Sequence, residues 1–321
     1  LGLLEDLFHY NGEFDVKLAV RNLYAEATNV LTPHLSLWVG SRMYRGDDIY
    51  LLDFWPLDDL NTLGGGAKLS FGNTALLLHA GVNRLADRYQ LQRIEVPDPR
   101  FGTEEVTVLD RQRTIASLKL VQGLPRLFGR LSLKAIAYGE LHHIPAGTLH
   151  DGLEREELPS DLGWVVGAQL GAWGFGRGAF ANLFLRLGGG LGAYDELSVP
   201  SGLGLDKRAS GAREALVALS ANYERGILGL RVGGYARYFE DADTVDADPD
   251  DGWEYALVLR PALFITRHFH QLFEVSLQGR RPDGLSPRTQ THLVPTVFKA
   301  SMMPAISWEA GSYARPQLRV V

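Results

Sequence analysis

Long stretches of this chain alternate apolar and polar residues with a period of two, and that pattern restricts the fold more than any other feature. Between residues 35 and 44, Leu35, Leu37, Val39 and Met43 share one face, while Trp38, Gly40, Arg42 and Tyr44 share the other. Leu131, Leu133, Ala135 and Ala137 alternate with Arg130, Ser132, Lys134 and Tyr138. Leu183, Leu185 and Leu187 alternate with Phe180, Asn182, Phe184 and Arg186, and Leu230 and Val232 with Arg231, Tyr235 and Arg237. These segments run about 10–15 residues, against about 5–6 for strands of globular proteins. A tilted strand that crosses a bilayer needs roughly 9–11. The apolar faces carry little charge and the opposite faces carry Arg, Lys, Glu and Asn. That is apolar-out and polar-in, the reverse of a dry-cored sandwich.

The connections alternate in length. Short ones are expected at 29–33, 71–73, 123–125, 174–178, 224–226 and 266–268. Long polar ones are expected at 84–103, 143–161, 190–211, 239–252 and 281–289. Short turns on one rim and long loops on the other are how a transmembrane antiparallel β-barrel is built. About 14 strands are expected between Asp15 and Val321, in a single all-β domain spanning 1–321. A soluble carbohydrate-binding sandwich or a propeller would also alternate, but strand length and loop asymmetry favour the membrane barrel.

Composition agrees. The chain has no Cys among its 321 residues, which excludes disulfides, thiolate metal sites and Cys nucleophiles. Its net charge of −6 argues against nucleic acid as a partner. No apolar run is long enough for a transmembrane helix, and a mean hydropathy of −0.07 is what alternating strands produce. The chain starts at Leu1 without an initiator Met or signal-peptide core, so it is expected to be a processed or truncated form.

The segment Leu37-Trp-Val-Gly-Ser-Arg-Met-Tyr-Arg-Gly-Asp-Asp-Ile-Tyr-Leu-Leu-Asp-Phe-Trp55 resembles the maltoporin family. In that family a strand ending Trp-x-Gly-x-Arg-x-Tyr leads through Asp, a hydrophobic run and Asp-Phe-aromatic into the constriction loop. Arg21 and the following Tyr-Ala-Glu-Ala resemble the strand upstream. Leu259-Arg-Pro261 and Ser312-Tyr-Ala-Arg-Pro-Gln-Leu-Arg-Val320 resemble two strands near the family's C-terminal end. The resemblance implies an 18-stranded barrel that assembles as a homotrimer in the lipid of a Gram-negative outer membrane. About three N-terminal strands and the last strand would then lie outside this chain; a smaller barrel of about 14 strands is the alternative.

The resemblance implies facilitated diffusion of maltodextrin-type oligosaccharides, with Trp55, Phe180 and Tyr313 as an aromatic slide. Parity places Phe180 and Tyr313 toward the lumen independently of it. A sugar offers apolar C–H faces to aromatic rings and hydroxyls to charged groups, and binding must stay weak enough for release. Arg21, Arg42, Arg45, Asp48 and Asp53 form the expected polar track. The alternative roles are girdle aromatics and wall salt bridges. Where the family has an Arg two residues before the first Asp of the loop, this chain has Gly46 beside Arg45, so the track is expected to be shifted. Residues 46–66 are expected to fold inward as the constriction loop, with Leu57, Asp58, Asp59 and Gly64–Gly66 a mobile acidic segment. A general or anion-preferring diffusion porin is the alternative function.

Other motifs carry less. The acidic run 240–251 lacks the glycine and terminal glutamate of a calcium loop and reads as a solvated loop. His142 and His143 fall on opposite faces, and with His150 they make no recognisable ligand set, so no metal is expected. The Gly188–Gly192 run is not followed by a phosphate-loop Lys. No nucleophile motif is present, so no enzymatic activity and no cofactor are expected.

Overall fold

The computed structural model describes residues 2–3, 18–19, 22–83, 91–97, 103–109, 111–151, 154–194, 202–244, 249–286 and 288–320. Fourteen strands form one antiparallel sheet in sequence order: β1 (Leu23–Ala27), β2 (Leu35–Arg45), β3 (Asp59–Phe71), β4 (Thr74–Asn83), β5 (Arg113–Phe128), β6 (Leu131–Ile144) and β7 (Asp161–Trp173) make the first half. The second half is β8 (Phe180–Gly190), β9 (Arg213–Arg225), β10 (Leu228–Glu240), β11 (Gly252–Phe264), β12 (Phe269–Pro282), β13 (Thr296–Ser307) and β14 (Gln317–Arg319). Among the described residues β1 and β14 are the edges of this sheet. Separate two-stranded ribbons pair Leu91–Pro97 with Thr103–Leu109 and Gly147–Asp151 with Glu154–Leu158, both within long connections.

Alternation decides which face is which. On β8, Phe184 is fully buried while Leu185 is 52 % exposed; on β10, Arg231 is 3 % and Leu230 40 % exposed. The convex face is thus a band of exposed aliphatic residues, including Val39, Leu183, Leu187, Val217 and Leu257. Exposed aromatics flank the band at both strand ends. Trp164 and Trp253 lie toward the long loops, and Phe71, Tyr223, Phe269 and Trp308 toward the short turns. An apolar surface of this extent is unstable in water, and aromatic belts mark the two interfaces of a bilayer.

The short connections are sharp turns. Gly72, Gly129 and Gly226 sit there at φ 56°, 66° and 60°, with nothing near where a Cβ would lie. One expected turn is displaced. β5 runs on through 123–125 to Phe128, and the chain reverses at Gly129–Arg130. The register is irregular between Leu131 and Leu133, and such a bulge tolerates a proline that cannot donate to the ladder.

The segment expected to be a loop over 46–66 divides. Residues 46–58 are irregular, but Asp59–Phe71 is strand, with Gly64, Gly65 and Gly66 paired to Gly40, Val39 and Trp38. The glycines are there for close approach rather than mobility: a Cβ on Gly66 would strike the Trp38 indole. That indole stacks at 5.8 Å on Tyr44 and at 5.7 Å on His79, on the concave face. Nor are the acidic residues loose, because Asp58 pairs with Lys119 and Asp59 with Arg45.

The described ends of the acidic run also differ from a solvated loop. Asp241 and Asp251 are buried, and the Asp241 amide donates to Asp251 Oδ1 at 2.7 Å. Burial first, and then the charges of Asp243, Asp251 and Asp250, push the Asp241 carboxyl up to about 6. A carboxyl raised above its ordinary value favours the closed junction when protonated. That contribution is full below the ordinary carboxylate range and is lost as pH rises through about 6. Hydrogen exchange at residues 241–244, corrected for its intrinsic pH dependence, is therefore expected to be slower at acid than at neutral pH. Asp241→Asn should abolish the difference; a difference that persists in the variant would exclude Asp241 as its source.

Candidate functional site

The concave face is crossed by the 46–58 segment. Ile49 and Leu57 are buried against Tyr138 of β6, Phe184 of β8, and Leu216 and Ala218 of β9, with Phe54 and Tyr235 alongside. The wall is cut to receive them. A Cβ on Gly233 would lie 2.5 Å from Ile49 Cγ2, and one on Gly167 2.6 Å from Leu57 Cδ2. Polar anchors hold the ends. Asp47 accepts from Lys134 and Gln169, and Asp58 pairs with Lys119. At the turn of the segment Ile49 and Phe54 form a β-bridge, and Asp53 takes a left-handed φ of 51° that Asp tolerates.

Charge is uneven along the segment. Burial pushes the Asp47 carboxyl up, but hydrogen bonds from Lys134 and Gln169 and the lysine charges outweigh it and hold it below the ordinary value. Asp58 is raised by burial, which Lys119 does not overcome. Asp48 is also raised, by burial and then by the charges of Asp47 and Asp53.

The expected site residues fall into separate groups. Phe180 and Tyr313 come together, with ring centroids 6.1 Å apart, although Phe180 opens β8 and Tyr313 lies in the turn between β13 and β14. Tyr313 also meets Tyr50 edge-on at 5.7 Å. Trp55 stands apart from this pair on the inward segment, under the Arg45 guanidinium at 4.1 Å from its ring centroid. Arg45 in turn pairs with Asp59. Arg42 sits 4.3 Å over the Tyr24 ring and 3.7 Å from Glu26, so it is held in the wall. Asp48 and Asp53 lie on the inward segment, Asp53 exposed. Arg21 lies outside the described residues. The Gly46 departure has a local cause, since the Asp58 carboxylate occupies the space a side chain at 46 would need.

Sequence reasoning missed Tyr50 and the weight of Arg231. Tyr50 lies in the quoted loop motif, and Arg231 on a recognised lumen parity, but neither pattern shows that they meet. Arg231 stacks at 4.0 Å on Tyr313 and 5.1 Å on Tyr50, and Arg315 donates to the Tyr50 hydroxyl. Among the described residues no group of three or more His, Asp or Glu side chains could hold a metal ion. His142 is committed to Glu140 at 2.6 Å and to Arg113 at 3.0 Å.

A lipid-compatible convex face, a polar concave face and a strand-to-strand segment folded across that face define the class: an outer-membrane channel of the porin type. The sequence matches the LamB porin family over residues 5–321, and the chain belongs to that family. The family consists of channels and not of enzymes. Curated proteins give no match.

Proposed function

We propose that this porin carries oligosaccharides of the maltodextrin type by facilitated diffusion, with Trp55, Phe180 and Tyr313 as stacking faces. Arg21, Arg42, Arg45, Asp48 and Asp53 would supply its hydroxyl-bonding track. The observation that carries the reading is the seating of 46–58 across the concave face, which sets Tyr50 beside Tyr313 and exposes Asp53. Aromatic faces beside charged groups fit the two faces of a sugar. Many weak contacts, rather than one tight pocket, also allow release. The ion pairs of Arg42 and Arg45 are compatible with a track, because partly exposed pairs are worth little and exchange readily with hydroxyls. In this reading the strands close into a ring, since hydrocarbon leaves an open sheet edge unsatisfied, and the family resemblance implies 18 strands in it. Three such rings form the homotrimer.

The test is single-channel current in a planar bilayer, titrated with linear maltodextrins of rising length. Closure in three equal steps, with affinity rising with length, is the expected result. Open pores that ignore every sugar would move the function to general diffusion. In the same assay Trp55→Ala should weaken sugar block by about 1–2 kcal/mol, the scale of one lost stacking contact. Unchanged affinity in that variant would remove Trp55 from the slide.

A further inference from the structure

We propose that Arg231, Arg260, Arg315 and Arg319, gathered around Tyr50 and Tyr313, form an anion-binding subsite that takes the acidic group of a charged saccharide. The proposal rests on the sugar-channel reading and narrows its substrate class. Arg231 is 97 % buried, yet its Nε and Nη2 have no hydrogen-bond partner. Stacking on Tyr313 and Tyr50 uses only the face of its guanidinium, and the in-plane N–H groups still require acceptors. Ser312 Oγ, buried in the same recess, is also without a partner. Unsatisfied buried donors are costly, and charged ones most of all.

The neighbours do not neutralise the charge. Arg260 is matched by Glu274, whose Oε2 accepts from Nε at 2.7 Å. Arg319 Nε donates to the neutral Gln317 amide oxygen at 2.7 Å, and Arg315 donates to the Ala314 carbonyl at 2.7 Å and to the Tyr50 hydroxyl. Arg231, Arg260 and Arg319 thus line the recess, with Arg315 beside it at Tyr50, and these four guanidinium groups outnumber the nearby carboxylates: Glu274 on Arg260, Glu224, which accepts from the Ser312 amide at 2.7 Å, and Asp48 near Tyr313. The field is felt at Tyr50. Burial raises its phenol, but Arg315, Arg319 and Arg231 together hold it below the ordinary value. Water could fill the donors but not the charge, whereas a planar carboxylate or a phosphate ester suits guanidinium forks. The rings of Tyr50, Tyr313 and Phe180 beside the recess would stack on the attached sugar, which a bare anion cannot exploit.

The experiment compares block of the full-length channel by digalacturonate, by maltose and by inorganic phosphate. Digalacturonate is expected to block at about ten-fold lower concentration than maltose, a difference worth about 1.4 kcal/mol. Inorganic phosphate should block weakly. Arg231→Gln should close the gap between the two sugars. Arg319→Gln, at a half-buried position, should narrow it in a protein whose folding is not at risk. Equal block by both sugars would overturn the subsite and leave the sugar channel standing. No block by either sugar would overturn both readings. Phosphate acting as strongly as digalacturonate would overturn the saccharide assignment in favour of a simple anion site.

Discussion

Replacing residues 47–57 by Asn-Gly is expected to raise single-channel conductance several-fold and to abolish block by sugars. The register makes the replacement geometrically simple. Arg45 is paired with Asp59, and the Gly46 amide donates to the Asp58 carbonyl at 3.3 Å, so the two strands are already side by side where the segment leaves them. A two-residue type I′ turn closes such a pair, and Asn-Gly is its preferred sequence. What is lost is the obstruction itself. The segment holds Ile49, Leu52, Phe54 and Leu57 against residues of β6, β8, β9 and β10, and so spans a wide arc of the concave face. Losing Ile49 and Leu57 uncovers apolar wall, at about 1.5–3 kcal/mol for each side chain. Most of the sheet keeps its ladder and its lipid-facing band. Lys134 loses the Asp47 carboxylate but gains water, which costs it little, while Asp58 lies outside the replaced residues and stays available to Lys119. Unaltered conductance in a correctly folded variant would mean that the segment does not set the pore width. Loss of sugar block without a conductance change would mean that it binds without constricting.

The sheet was legible in the sequence because a bilayer imposes a hard rule. Every residue such as Leu183, Leu185 and Leu187 that faces lipid must be apolar, and the intervening Asn182 and Arg186 can face only the lumen. The loop asymmetry was legible for a related reason, since several short turns carry a glycine such as Gly72 or Gly226 at positive φ. The inward segment was recognisable from its resemblance, but its extent was not. The run Gly64–Gly66 looks like a flexible loop in one dimension and is a flat seat for Trp38 in three. The partners were out of reach. Asp47 meets Lys134 and Gln169, which are 87 and 122 residues away, and no local pattern carries that distance. Which lumen residues meet depends on sheet curvature and register acting together, and this is why Phe180 and Tyr313 converge while Trp55 stands elsewhere.

Lys119→Met is expected to loosen the inward segment by about 3–5 kcal/mol, the usual cost of removing one member of a buried ion pair. Asp58 is 2 % exposed and its carboxylate is paired with Lys119. Its other surroundings are unfavourable, because burial and the charges of Glu140 and Asp47 already raise it above an ordinary carboxylate. Without the ammonium, the closed segment at neutral pH must either bury an unpaired charge or take up a proton. The sign follows from linkage. A carboxyl raised in the closed state adds stability that is full below the ordinary carboxylate range and is lost as pH rises through the raised value. The variant's segment should therefore be closed in acid and open progressively toward neutral pH. Trp55 reports this directly, since it is carried on the segment and covered by Arg45. Its emission should move to longer wavelength on opening, and current through the variant should become noisy at neutral pH and quiet in acid. Adding Asp58→Asn to Lys119→Met removes the buried charge altogether. The double variant should recover most of the closed state at every pH, since an amide meets the same recess without a charge to desolvate. If the double variant remained as loose as the single one, the lysine would be acting through its ammonium on the Tyr44 ring, whose centroid lies 5.5 Å from Nζ, and not through its charge on Asp58.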